Sequence, residues 1–186
     1  MKTFKLMTSV FALTLLFATA QTYAQKTKMV GGAPMYPSKN IIENAVNSKD
    51  HTTLVAAVKA AGLVETLQGK GPFTVFAPTN EAFAKLPAGT VDFLLKPENI
   101  KTLQSILTYH VLAGKFSAAQ IMAQINKGKG KAFFKTVQGG TLVAMMKNNA
   151  LVLTDENGNT ATVTIKDVNQ SNGVIHVIDS VVTPKS

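Results

Sequence analysis

The stretch that most constrains the fold is residues 71–86, where a short apolar run is followed at once by a proline and a helix signal. Residues 73–77 are apolar, β-branched or aromatic, which is typical of a buried strand. Pro78 offers no backbone N–H to a strand ladder, and Thr79 is a favourable N-cap, so a short helix begins where the strand ends. Phe83 then lies on the helix face that can pack back onto the strand. This stretch predicts a strand-to-helix corner.

The first 24 residues have the three parts of a secretory signal peptide. Lys2 and Lys5 form a basic start, residues 6–18 are apolar, and small residues precede two alternative cleavage points, before Gln21 and before Gln25. The apolar run is shorter than the roughly 20 residues that span a bilayer. We therefore expect residues 1–24 to be removed on export, which leaves no transmembrane segment in a soluble extracellular or periplasmic protein.

Residues 25–38 contain Gly31, Gly32, Pro34 and Pro37 without a sustained period, and they predict a flexible lead-in. The remainder suits one domain. Helical spacing dominates up to about residue 125, and strand-like runs separated by Gly-Gly, Asn-Asn and Asn-Gly pairs follow. Helices first and strands later predict an α+β domain that ends in an antiparallel meander.

Every one of the 19 basic residues is a lysine, and the formal net charge is +9, or +7 without Lys2 and Lys5. Lysine carries a hydrated point charge, whereas sequence-specific reading of nucleic acid relies on the forked guanidinium of arginine. We therefore expect no sequence-specific nucleic-acid partner. A diffuse positive field suits an anionic polysaccharide or an acidic cell surface, or it simply keeps the exported domain soluble.

Three boxes occur in a fixed order: TVFAPTNEAF at residues 74–83, YHVL at residues 109–112, and NGVIHVID at residues 172–179. Together they resemble the boxes of the fasciclin-type adhesion domain, over nearly all of the chain that follows the lead-in. The resemblance implies a fasciclin-like domain over residues 39–185. It implies a wedge-shaped β-sandwich of about seven strands flanked by several helices in the N-terminal half, and a role in adhesion to cells, matrix or other macromolecules. The structural signature residues in these boxes are Thr79, Asn80, Tyr109, His110, His176 and Asp179.

The only three histidines are His51, His110 and His176, and two of them fall in these boxes. A shared metal or catalytic site is one hypothesis. The apolar surroundings favour the other, in which each neutral imidazole donates one hydrogen bond and accepts another to join two segments. The sequence has no cysteine, no His-x-x-x-His pair and no Gly-x-Ser-x-Gly elbow. We therefore expect no catalytic residue, no metal and no cofactor.

Two surfaces are candidates for contact with a partner. One is a set of lysines that can meet sulfate, uronic acid or phosphate groups, or can simply be solvated: Lys127, Lys129, Lys131 and Lys135. The other is the pair Asp167 and Val168, which partly matches the Asp-Ile pair implicated in integrin contact in animal relatives. The residues around this pair depart from the family pattern, so the resemblance does not extend to integrin binding.

The sequence as a whole predicts a secreted, non-enzymatic module that binds extracellular protein, matrix or anionic glycan, as a monomer or with weak self-association. The alternative is a small-molecule or lipid carrier, or an uncharacterised enzyme, that uses a cleft between helices and sheet.

The signal-peptide interpretation predicts the mature N-terminus. Protein recovered from the native host should begin near Gln21 or Gln25, because small residues precede both positions. Intact-mass measurement checks this, and a mass that retains residues 1–20 would contradict export through signal cleavage.

Overall fold

The structure is a computed structural model that describes residues 27–185. Within these residues the α-helices are α1 (Ile41–Ala45), α2 (Thr52–Ala60), α3 (Val64–Gln68), α4 (Asn80–Ala84), α5 (Thr90–Leu94), α6 (Ile100–Tyr109) and α7 (Ala118–Lys127). The strands are β1 (Lys28–Val30), β2 (Ala33–Met35), β3 (Phe73–Pro78), β4 (Val111–Ala113), β5 (Lys131–Lys135), β6 (Thr141–Lys147), β7 (Ala150–Thr154), β8 (Thr160–Gln170) and β9 (Gly173–Ile178). Short 3₁₀ helices at Lys49–His51 and Pro97–Asn99 precede α2 and α6. The predicted signal peptide, residues 1–24, lies outside the described residues.

The main sheet has seven strands in the order β4-β3-β9-β8-β7-β6-β5. The run from β5 to β9 is antiparallel, as the sequence predicts, whereas β3 and β9, the second and third strands from the β4 end, pair in parallel. The two ends of strand β8 have different partners, because residues 160–162 pair with β7 and residues 163–170 pair with β9. The backbone N–H of Val137, just after β5, donates to the Val111 carbonyl in β4 at 2.8 Å, so the sheet curls towards a barrel. The expected α+β class and seven-stranded sheet are confirmed.

Two apolar clusters hold the helices on the sheet. The larger one packs helices α1 to α6 against strands β3 and β9. The second lies inside the curl, where Ile121 and Ile125 of α7 meet Phe134 of β5 and Leu142 of β6. Side chains along β5 alternate strictly, with Ala132 and Phe134 buried and the residues between them exposed. That alternation determines which side chains of β5 face solvent.

The strand-to-helix corner forms as the sequence predicts. Strand β3 ends at Pro78, and the Thr79 Oγ1 atom accepts a hydrogen bond from the Ala82 N–H at 3.2 Å. The neighbouring Asn80 joins this corner to the start of α2, because its Oδ1 accepts from the Thr53 N–H at 3.0 Å and its Nδ2 donates to the Lys49 carbonyl at 2.8 Å. The corner is therefore fixed by side chains that satisfy helix-end backbone groups.

The segment predicted to be a flexible lead-in is largely an ordered hairpin, and that prediction is corrected for the described residues. Strands β1 and β2 pair antiparallel around Gly31 and Gly32, both of which have the positive φ that suits glycine in a turn. Val30 and Met35 are buried in the larger cluster. The Gly31 carbonyl accepts from the Lys49 N–H at 3.0 Å, which joins the hairpin tip to the 3₁₀ helix that precedes α2.

No helix of residues 27–185 is long and apolar enough to cross a membrane.

The backbones of strands β3 and β9 approach each other closely at Gly173. A Cβ atom at Gly173 would stand 2.1 Å from the Phe73 carbonyl oxygen on β3. The preceding Asn172 donates from Nδ2 to the carbonyls of Leu67 and Gly69 at 2.8 Å each, and its Oδ1 accepts from the Ile41 N–H at 3.0 Å. Three elements distant in sequence therefore meet at this end of β9.

Substitution of Gly173→Ala is expected to destabilise the fold by about 3 kcal/mol or more, because β3 and β9 must separate to admit a methyl group. The control is Gly62→Ala, where the space is open and only the positive φ is unfavourable, at a cost of roughly 1–2 kcal/mol. Urea unfolding measures both. Equal losses in the two variants would mean that the strands are not held at this spacing.

Candidate contact surface

His176 lies in the middle of β9 and joins three segments of the chain. Its Nδ1 accepts a hydrogen bond from the Asp167 N–H at 3.2 Å, and its Nε2 is 2.9 Å from the Phe116 carbonyl, to which it donates. Burial lowers the pKa of His176, and the Phe116 carbonyl opposes that shift only in part. The ring is therefore neutral, and both of its nitrogens are used by backbone groups.

His110 has the same arrangement at the end of α6. Its Nδ1 donates to the Ile106 carbonyl at 2.8 Å, and its Nε2 accepts from the Val182 N–H at 3.2 Å. Burial lowers the pKa of His110 to about 4. Because both nitrogens of each ring bond to backbone, neither ring has a free nitrogen for a metal ion or a reacting group. Within residues 27–185 no group of three or more His, Cys, Asp or Glu side chains is placed to hold a metal ion.

Two further signature residues also bond to backbone atoms. The Tyr109 hydroxyl donates to the Thr141 carbonyl at 2.7 Å and accepts from the Glu156 N–H at 3.3 Å, while burial raises its pKa to about 12. The Asp179 Oδ1 atom accepts from the Thr162 N–H at 2.7 Å, and its other oxygen lies 3.8 Å from the Lys85 ammonium. Their hydrogen bonds tie the ends of neighbouring strands together.

The pair Asp167 and Val168 does not form an outward contact site, which corrects that candidate. Val168 is 1 % exposed and belongs to the larger apolar cluster. Asp167 is an extra residue in a bulge opposite His176, with φ of 57°, a left-handed conformation that Asp adopts more readily than most residues. Its Oδ1 accepts from the Ala118 N–H at 2.7 Å, so the carboxylate stabilises the positive end of α7.

The four candidate lysines are all exposed and lie close together in the chain, from the end of α7 through the following loop to both ends of β5. Lys147 at the end of β6 adds a fifth charge, since its neighbour Met145 pairs with Lys131. None of these five forms an ion pair within the part of the chain that the structure describes. We call this surface the basic face: Lys127, Lys129, Lys131, Lys135 and Lys147, with Phe133 between them.

Comparison with known proteins identifies the family. The fasciclin domain model matches residues 49–184. The chain belongs to the fasciclin domain family. Protein sll1483 of Synechocystis sp. is 47 % identical to this fasciclin domain over 86 % of this chain and 82 % of that protein. The cell surface glycolipoprotein MPB83 of Mycobacterium bovis is 34 % identical over 89 % of this chain and 70 % of that protein.

A solved structure supports the fold of this fasciclin domain. It is the domain pair of fasciclin I, described as an insect cell adhesion molecule, and it matches with a TM-score of 0.66 at 18 % identity. The match covers 76 % of this chain and 50 % of that chain. At this identity the likeness concerns the fold alone.

The sequence did not single out His51, which is buried beside an apolar cavity in the fasciclin domain. Its Nδ1 is 2.8 Å from the Ser48 hydroxyl, and its Nε2 has no hydrogen-bond partner among the described residues. Burial lowers the pKa of His51, although the nearby Ala77 carbonyl and the Asp50 carboxylate oppose that shift. The cavity holds about 80 Å³ and is lined almost wholly by apolar side chains from the hairpin, the first helices and β3. The residues around His51 in the sequence are polar, so nothing in the sequence indicated that this histidine is buried.

The lowered pKa of His110 predicts a pH dependence of stability. Between about pH 4 and 6.5 the unfolded chain holds a proton on this imidazole that the folded protein does not. The stabilisation that the neutral His110 ring contributes is therefore complete above pH 6.5. As the pH falls towards 4, the free energy of unfolding decreases by about 3 kcal/mol on account of His110.

Urea unfolding over this pH range measures the loss, with His110→Gln as the matched variant. Glutamine can still accept from the Val182 N–H but does not titrate, so the variant should lose less stability on acidification, although it is less stable at neutral pH. The same slope in both proteins would show that His110 is not buried as a neutral ring.

Proposed function

We propose that this fasciclin domain is an exported, non-enzymatic contact module whose basic face binds an anionic polysaccharide or an acidic extracellular protein. One observation carries the proposal. Between Asn99 and Thr154 the sequence has seven lysines and no Asp or Glu, and five of these lysines make up the basic face. A surface of one sign attracts polyanions over distances of about 10 Å at 0.1 M salt.

The buried polar residues support a contact function over turnover. General acid–base chemistry needs a titratable group within hydrogen-bond reach of a substrate. In the signature boxes, Tyr109, His110 and His176 direct their polar atoms at backbone groups inside the domain. These side chains are occupied in joining strands, which leaves the outer surface for recognition.

The apolar cavity beside His51 is too small to support the alternative of a small-molecule or lipid carrier. Ligand pockets in proteins usually hold about 300–1,000 Å³. The apolar cavity beside His51 holds about 80 Å³, which is room for a few waters or a very small molecule. A lipid chain would require the hairpin and helices to move apart.

Export is part of the proposal and is supported by two separate observations. Residues 1–24 carry the pattern of a signal peptide. One relative is named a cell surface glycolipoprotein. We propose that the module acts as a monomer or with weak self-association, because a face of five unpaired lysines repels its own copy.

The test replaces four lysines of the basic face with glutamine: Lys127, Lys129, Lys131 and Lys135. Binding to dextran sulfate and alginate, measured by surface plasmon resonance with neutral dextran as reference, should weaken roughly tenfold or more. The melting temperature should change little, because exposed substitutions usually alter stability by about 0.5 kcal/mol or less.

The matched control makes the same change of charge on the other half of the domain, where four exposed lysines become glutamine: Lys59, Lys70, Lys96 and Lys101. If the two quadruple variants lose affinity equally, the net charge of the domain matters and the basic face does not. If neither loses affinity, the proposal is wrong.

A further inference from the structure

The basic face has an apolar side chain at its centre that polyanion binding does not explain. Phe133 is 69 % exposed, the most exposed large apolar side chain in the described part of the chain. It lies on β5, the end strand of the main sheet, on the outward side between Lys131 and Lys135. Single exposed apolar residues are common, but this one lies between two exposed lysines on the same side of its strand.

The neighbours of Phe133 extend the apolar strip across the sheet. Val143 on β6 is directly opposite it, and Met145 is opposite Lys131 on the same outward side. Both side chains are half-buried, so they form the base of a strip from which the phenylalanine ring stands out. Lys147 lies diagonally across from Lys131, about 7–8 Å away by the usual spacing of such pairs. The strip is therefore rimmed by lysines.

The positive charge is strongest at one end of this strip. At the Lys135 end, the opposite residue Thr141 donates its N–H to Glu156 at 2.9 Å, so a carboxylate lies nearby. Hydrogen bonds from the backbone N–H groups of Lys185 and Thr141 lower the pKa of Glu156, which keeps it charged. At the other end, Lys129 lies in the loop after α7 and Lys147 lies just before the β6–β7 turn, and neither the loop nor the turn contains an acidic residue.

We infer that the basic face docks on an anionic lipid bilayer, with Phe133 inserted at the interface and the lysines on the headgroup phosphates. An exposed aromatic ring among lysines is the combination that interfacial binding uses, since the ring enters the acyl boundary while ammonium groups remain at the charged surface. Lysine serves as a point charge towards many phosphates and does not need the fixed geometry of a bidentate pair. The inference rests on the surface of the proposed function and names a different occupant for it.

Two other occupants fit the face less well. A second copy of the chain would bring five unpaired lysines against five more, and like charges in direct opposition are unfavourable. An acidic polypeptide satisfies the lysines, but carboxylates are recognised best by the planar fork of arginine, which the chain lacks. The acidic polypeptide is therefore an outcome of the test.

The chain contains no tryptophan, so a single Phe133→Trp substitution reports on this position alone. Mixed with vesicles of equal parts phosphatidylglycerol and phosphatidylcholine, its emission should shift to shorter wavelength as the ring leaves water. Vesicles of phosphatidylcholine alone should give no shift. The control is Phe93→Trp on α5, where the native side chain is 54 % exposed and lies next to Asp92, and it should show no shift with either vesicle.

Sedimentation with the same anionic vesicles measures the contributions of ring and charge. Phe133→Ser should weaken binding roughly tenfold, in line with the loss of one partly buried aromatic side chain. The double variant Lys131→Gln with Lys147→Gln should weaken it roughly twenty- to thirty-fold, at about five-fold for each lysine. The paired control, Lys59→Gln with Lys70→Gln, should bind as the native protein does. Binding should also fall steeply in about 1 M salt, where the Debye length is about 3 Å.

Binding to dextran sulfate and to poly-glutamate is measured in parallel with binding to the vesicles. This comparison distinguishes failure of the lipid inference from failure of the proposed function. Two outcomes overturn the lipid inference and leave the polyanion proposal standing. In one, the protein binds polyanions but does not sediment with vesicles. In the other, it sediments with vesicles but the emission of the Phe133→Trp variant does not shift. Tight binding of poly-glutamate that depends on Phe133, without vesicle binding, assigns the face to an acidic polypeptide and also overturns it. Vesicle binding with no polyanion binding supports the lipid inference against the proposed function.

Discussion

The fold depends on the parallel pairing of β3 with β9, two strands that lie about a hundred residues apart in the chain and adjacent to each other in the main sheet. The pairing requires the glycine at position 173, because its backbone lies against that of Phe73 with no room for a side chain. It also places the amide of Asn172 against the ends of α1 and α3. The helical half and the strand half of the chain therefore meet at this end of β9.

This construction accounts for the polar residues in the sequence boxes. An unpaired backbone group in the interior costs about 1–3 kcal/mol, and a bulged, curled sheet produces several such groups. His110 and His176 supply a donor and an acceptor to backbone atoms, and burial keeps both rings neutral. The polar residues of the boxes therefore serve to hold the segments of the curled sheet together. The partner that we propose would therefore contact exposed side chains such as those around Phe133.

The sequence predicted features that depend on residues close together in the chain, such as helix caps. It did not predict features that depend on residues far apart, such as the pairing of distant strands. The Thr79 cap was predictable because its hydroxyl accepts a hydrogen bond from an N–H only three residues further along the chain. The parallel β3–β9 pair left no local pattern. Val168 was a surface candidate because it partly matches the Asp-Ile pair of animal relatives, and no local pattern revealed the bulge beside it or its burial. The positive charge of the lysines could be predicted from the sequence. Which of the two adjacent residues Phe133 and Phe134 is exposed could not, because it depends on which face of β5 the helix α7 covers.

The hairpin at the start of the described chain extends the folded unit beyond the boundaries of the family match, which begins at residue 49. Val30 and Met35 are buried in the same apolar cluster as side chains of α2 and α3, together with Ile41 of α1. A piece trimmed to the family boundary would expose that apolar surface to water. The smallest autonomous form of this domain therefore starts near Lys28, and shorter versions expressed for biochemical work would be prone to aggregate.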